Sequence, residues 1–193
     1  VTDDLLAALL PVARTLERLA VPFYIGGSVA SSVHGAARST MDVDLVADLQ
    51  PSHAAPLAAA LGDEYYADVQ SIADAIAKRS SFNLIHLATS FKVDVFVATG
   101  DRFQRSSLDR RVTDTLATPG SPTLPIASKE DTVLAKLAWF RKGGEVSERQ
   151  WRDVQGVLRV QGTALDIAYL RLWADELRIT DLLERALREA GLA

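Results

Sequence analysis

Two short stretches concentrate the residue types that could handle phosphate and metal. They are Tyr24-Ile25-Gly26-Gly27-Ser28 and Met41-Asp42-Val43-Asp44-Leu45-Val46. A strand that runs into Gly-Gly-Ser and then a helix makes a phosphate cradle. Glycine lets an anion reach the backbone, and the N–H groups at a helix start favour negative charge. The Ser28 hydroxyl adds a donor. A tight strand-to-helix turn capped by Ser28 explains the same residues with no ligand at all. Asp42 and Asp44 lie two apart on a strand, so their side chains share one face, about 6.5–7 Å apart at Cα. Val43 and Leu45 point the other way, to the core. Paired carboxylates repel unless a cation joins them, and hard oxygen ligands of this kind suit Mg²⁺. The alternative is the wet side of a half-buried strand, for which aspartate is a poor choice.

Asp94 is the third acid. In Phe91-Lys92-Val93-Asp94-Val95-Phe96-Val97 the odd positions are apolar and form one core face, while Lys92, Asp94 and Phe96 share the other. Asp94 could complete a metal site or accept a proton from an attacking hydroxyl; a surface salt bridge with Lys92 is the plainer reading. Lys136 has Val133, Leu137, Trp139 and Phe140 as helical neighbours, so it lies in or beside an apolar stripe where lysine is seldom unpaired. Snorkelling, with a buried stem and a wet ammonium, fits it equally. Asp153 lies near a stripe edge, where a solvent-side pair with Arg149 or Arg152 is the plainer reading.

Composition narrows the tools. The 193 residues contain no cysteine and three histidines, so disulfide scaffolds, cysteine nucleophiles and Cys-based zinc sites are excluded. A net charge of −4 argues against a strongly basic nucleic-acid binder. Carboxylates, lysines and backbone amides are left to carry any chemistry. No apolar run reaches membrane-span length and no signal-peptide pattern opens the chain, so a cytoplasmic protein is expected. Arg102, Arg105, Arg110 and Arg111 form the one basic cluster; it could touch an RNA backbone or a triphosphate, and a solvated face is the plainer reading. His86 is read as a core or surface histidine, and Trp139, Trp151 and Trp173 as core.

The elements that must position these groups follow from periodicity. Residues 2–20 read as an amphipathic helix ended by Pro22, 23–25 as a strand, and 28–34 as a helix. Residues 41–47 read as a strand, and 51–61 and 72–78 as helices. Residues 82–87 and 91–98 read as a hairpin through Ala88-Thr89-Ser90. Pro119 to Pro125 is dense in breakers and reads as a connection. Residues 1–127 hold 14 acids and 10 bases, whereas the remainder holds 11 of each, so the charge balance changes near the same place. The predicted division is an α/β domain over 1–120 and a helical domain over 121–193. In the latter, Ser128 with Asp131, Ser147 with Gln150, and Thr163 with Asp166 read as helix starts, and a last helix begins at Thr180 or Asp181.

The ordered set Ile25-Gly26-Gly27-Ser28, Asp42-Val43-Asp44 and Asp94 resembles the nucleotidyltransferase superfamily that shares the DNA polymerase β fold. Arg38-Ser39-Thr40 before Asp42 resembles the Arg-x-Thr-x-Asp-x-Asp form of small bacterial members. Ile126 to Asp131, leading into Lys136 and Arg152-Asp153, resembles AbiEii-type toxin-related nucleotidyltransferases. The implied fold is α+β: a mixed sheet flanked by helices, followed by a C-terminal helical bundle. The implied chemistry is transfer of a nucleoside monophosphate from an NTP to an acceptor hydroxyl, with pyrophosphate released. The resemblance makes Asp42, Asp44 and Asp94 ligands for one or two Mg²⁺ ions, and Lys136 a neutraliser of phosphate charge. It implies nucleotide contacts from Gly26, Gly27, Ser28, Arg38, Thr40 and Asp153. The acceptor would be a tRNA 3′ end or a protein hydroxyl, and a cognate antitoxin the partner. An antibiotic hydroxyl is the small-molecule alternative, and a non-catalytic nucleotide-binding or antitoxin module the alternative of another class.

Overall fold

The computed structural model describes residues 3–37, 39–116 and 122–192. Contacts divide the chain into two compact units, Val1–Val29 with Ser39–Ile126, and Ala30–Arg38 with Ala127–Ala193. The expected boundary at 120/121 lies outside the described residues.

The first unit holds a seven-stranded mixed sheet in the order β3-β4-β5-β2-β1-β7-β6. Its strands are β1 Phe23–Ile25, β2 Asp42–Ala47, β3 Tyr65–Tyr66, β4 Ser81–His86, β5 Lys92–Val97, β6 Val112–Thr115 and β7 Thr123–Ile126. β2 runs antiparallel to β1 and parallel to β5, and β4 and β5 form the expected hairpin. Alternation is strict where the sequence alternates. Val43, Leu45, Val93 and Val95 are fully buried, while the residues between them are half-buried. Helices cover the buried face: α1 (Asp3–Arg18) packs on β2 and β5, α4 (Val69–Lys78) on β4, and α3 (Ala54–Leu61) against both helices. α1 stops at Arg18, earlier than Pro22, because Ala20 turns left-handed at φ 53°.

Parts of this unit depart from the sequence expectation. Part of the breaker-rich stretch is a strand. β7 lies between β1 and β6 with Leu124 and Ile126 buried, and its link to β1 is the single pair Ile25–Ile126, so Pro125 interrupts little. Arg102–Arg110 is a helix, α5, capped by the Asp101 carboxylate, which accepts from the Gln104 N–H at 2.8 Å. The arginines of the basic cluster are exposed, as a solvated face requires.

The second unit contains α6 (Lys129–Lys142), α7 (Glu148–Gln161), α8 (Ile167–Glu176) and α9 (Thr180–Ala190). α6 packs on α7, α8 and α9, and α9 also on α7 and α8, which makes the expected bundle. Ser128 and Ser147 cap α6 and α7 as predicted. Asp166, not Thr163, caps α8: its carboxylate accepts from the Tyr169 N–H at 2.9 Å, while Thr163 lies in a 3₁₀ turn. Trp173 is core, Trp151 is half-buried, and Trp139 is 48% exposed, so it is not a core residue. Residues 30–37 belong with this bundle. Gly156 of α7 presses on Ala36, leaving a Cβ there only 2.9 Å from that of Ala36. Among the described residues no helix is long and apolar enough to cross a membrane.

Candidate active site

The half-buried face of β2 and β5 carries three acids, Asp42, Asp44 and Asp94. Register places Asp44 directly opposite Asp94, and Asp42 directly opposite Lys92. Adjacent strands are about 4.8 Å apart, so these four side chains stand as one block. On the far side of β5, Asn83 is the register partner of Asp94. On the near side, the glycine turn adjoins Asp44. The Gly26 N–H donates to the Asp44 carbonyl at 2.9 Å, and Gly27 begins helix α2 (Gly27–Val33).

The two glycines are not equivalent. Gly27 has φ +55°, and a Cβ there would lie 1.7 Å from Asp44 Oδ2. Its hydrogen therefore makes room for the carboxylate. A Cβ on Gly26 would meet only Tyr24, at an ordinary 3.8 Å. Ser28 is buried. Asp42 is held by Thr40, whose hydroxyl donates to Asp42 Oδ1 at 2.6 Å. The predicted nucleotide contact Arg38 lies outside the described residues.

Lys92 is the cation of this face. Its Nζ lies 2.8 Å from Asp94 Oδ2, so the salt bridge anticipated on the strand exists. The hydrogen bond to Asp94, and then the charges of Asp94, Asp42 and Asp44, hold the Lys92 ammonium above its ordinary pKa against some loss from burial. Asp94 is 15% exposed, and its other oxygen, Oδ1, is buried without a hydrogen-bond partner. His86 takes no part. It lies on the buried face of β4, bonded to Thr89 at 2.8 Å and against the Tyr65 ring.

Among the described residues no group of three or more histidine, aspartate and glutamate side chains stands close enough to hold a metal ion. In this arrangement Asp42 is engaged by Thr40 and Asp94 by Lys92. In kind, the donors do fit a hard divalent cation. They are carboxylate oxygens on one sheet face, one of them buried with no partner.

In the second unit Lys136 and Asp153 meet each other. Nζ lies 2.8 Å from Oδ2, and both side chains are more than nine-tenths buried. Gln150 Oε1 lies 3.5 Å from the same ammonium. Lys136 therefore does not snorkel, and Asp153 does not pair with Arg149 or Arg152 in solvent. Arg152 instead faces Glu148 at 3.9 Å.

No protein-family model matches the chain, and no curated protein matches it. Solved structures do. The antibiotic-resistance factor ANT(2'')-Ia in solution aligns over 96% of this chain and 95% of its own, with TM-score 0.54 and 14% identity. ANT(2")-Ia in complex with adenylyl-2"-tobramycin aligns over 90% and 96%, with TM-score 0.57 and 12% identity. An antigenic nucleotidyltransferase-like protein from Paracoccidioides brasiliensis aligns over 97% and 94%, with TM-score 0.54 and 16% identity. At these identities the likeness concerns architecture, and on it the chain has a nucleotidyltransferase fold. These neighbours do not bear out the AbiEii-type resemblance.

Proposed function

We propose that this chain is a nucleotidyltransferase that moves a nucleoside monophosphate from an NTP to an acceptor hydroxyl. The observation that carries the reading is the block of Asp42, Asp44 and Asp94 on adjacent parallel strands, beside a left-handed glycine, in this fold. The Gly26 N–H is committed to Asp44, so the triphosphate would meet the chain from Gly27 and Ser28 onward, with Arg38 as a further contact. Asp42, Asp44 and Asp94 would hold Mg²⁺, with Thr40 fixing the Asp42 carboxylate. Bound as one or two ions, Mg²⁺ supplies charge neutralisation at the attacking and leaving oxygens. The acceptor oxygen bonds to the α-phosphorus as the bond from that phosphorus to the bridging oxygen breaks. Pyrophosphate leaves with the electron pair; Asp94 would either hold the metal that activates the hydroxyl or take its proton. Lys136, positioned by Asp153, would neutralise phosphate charge.

The AbiEii-type resemblance makes a tRNA 3′ end or a protein hydroxyl the acceptor, and the chain the toxin of a pair with a cognate antitoxin in the cytoplasm. A second reading, an antibiotic hydroxyl, draws on the fold shared with ANT(2'')-Ia and is supported no better than the first. One experiment separates these. The protein is incubated with each α-labelled NTP, Mg²⁺, and in turn total RNA, cell protein or tobramycin, alongside Asp42→Ala. Label on RNA or protein, lost in Asp42→Ala, is the expected result, and label on tobramycin selects the second reading. No transfer anywhere, with no Mg²⁺-dependent NTP binding, leaves a non-catalytic module and overturns the proposal.

A further inference from the structure

We propose that Lys92 is a tethered counter-ion that occupies the acid face in place of a divalent cation and swings aside when that cation enters. The inference rests on the reading of Asp42, Asp44 and Asp94 as the cation-holding face. Three observations carry it. Asp44 and Asp94 are direct cross-strand partners, an arrangement in which like charges destabilise a sheet. Lys92 stands on the same face, opposite Asp42 and two residues from Asp94, with its ammonium 2.8 Å from Asp94 Oδ2. The ammonium leaves Asp94 half-served, because Oδ1 stays buried with no partner. A point charge on one oxygen cannot complete that carboxylate, whereas a cation with six or more oxygen ligands can engage it fully.

Mobility is distributed as displacement requires. The Lys92 side chain is 39% exposed and sits on a four-carbon stem with free rotors. Asp94 is 15% exposed and fixed in mid-strand. The lysine can therefore leave while the carboxylate stays. A departing ammonium that remains tethered at the rim is well placed to meet the triphosphate that accompanies the metal. Empty and loaded faces would then both be charge-compensated, and a metal ion alone would bind weakly because it must evict Lys92.

The test uses the full chain and Mn²⁺ alone, with free ion followed by electron paramagnetic resonance. Lys92→Met should bind Mn²⁺ about tenfold more tightly than wild type, the scale of removing one charge at hydrogen-bond distance. Lys92→Arg, which keeps the charge, should stay near wild type. Without metal Lys92→Met should melt below wild type, and it should regain more on adding Mn²⁺. Lys92→Gln replaces the Met variant if that does not fold. Equal or weaker Mn²⁺ binding in the neutral variant overturns the inference. So does tighter binding that persists when Asp44→Ala is added, since the ion is then elsewhere. If neither wild type nor the neutral variant binds Mn²⁺, the inference also fails. Label transfer from NTP judges the nucleotidyl-transfer reading separately, because substrate phosphates can complete a site too weak for metal alone.

Discussion

Gly27 and Asp44 share a space that admits only one of a methyl group and a carboxylate. With a Cβ 1.7 Å from Asp44 Oδ2 and φ at +55°, Gly27→Ala must shift the carboxylate and strain the turn. Displacement of about 1 Å at a reacting centre costs on the order of 100-fold in rate. Gly27→Ala is therefore expected to lose that much label transfer while keeping its far-ultraviolet circular dichroism. Gly26→Ala, with only an ordinary contact to Tyr24, should stay near wild type in the same assay. Equal losses in the two variants would show that the turn matters only as a loop. The sequence marks both glycines as a pair. Which of them makes room for an acid depends on a strand 17 residues further on, so spacing alone could not rank them. Lys92 shows the same division. Its pairing with Asp94 was legible from their two-residue separation, but its place opposite Asp42 depends on β2 lying beside β5.

Elements were legible where one face is dry. β2 and β5 alternate apolar and polar residues up to Val46 and Phe96, and the structure buries Val43, Leu45, Val93 and Val95. α5 was hidden because Leu108 and Ser107 are its only buried residues, too few for a periodic signal; Asp101 with Gln104 was the cue available. β7 was hidden because its proline and the turn residues before it resemble punctuation, and strand pairing is a non-local fact. Lys136 and Asp153 stand on different helices, 17 residues apart, and only the packing of α6 on α7 joins them. Removing one partner of such a buried pair leaves an uncompensated charge. Lys136→Met or Asp153→Leu alone should cost about 3–5 kcal/mol, while the double variant recovers most of it. Urea denaturation of the three variants checks this, and additive losses would contradict it. Tyr65 of β3 donates to the Ala8 carbonyl of α1 at 2.7 Å, and burial, with the Glu64 charge second, pushes its hydroxyl up to about 12. The unfolded chain ionises that tyrosine near pH 10. The folded state then holds the extra proton, so the Tyr65 contribution is intact below about pH 10 and fades from there towards 12. Urea midpoints should fall over that window in wild type and fall less in Tyr65→Phe; parallel curves would remove Tyr65 from the account.

At the scale of the whole molecule, the helical unit is not a simple C-terminal continuation. It includes residues 30–37, whose backbone lies against α7 at Gly156 and is tied to the bundle by His34 at 2.7 Å from the Ala127 carbonyl. Gly156→Leu would drive a side chain into Ala36, and overpacking of this kind costs about 1–3 kcal/mol. Lower urea stability with unchanged helicity is the expected result, and wild-type stability would mean that this contact is dispensable. Composition and local pattern determined the broad class: a cysteine-free acidic chain, an α/β half, a helical half, and three aspartates on core-backed strands. These rest on residue type and on periods of 2 and 3.6, which are local properties. Tertiary structure decided the rest. It set Asp44 against Asp94, placed Lys92 opposite Asp42, buried Lys136 on Asp153, and inserted β7 beside β1. Each of these joins residues far apart in the chain, and the pairing comes from burial and strand register, which no stretch of sequence contains by itself.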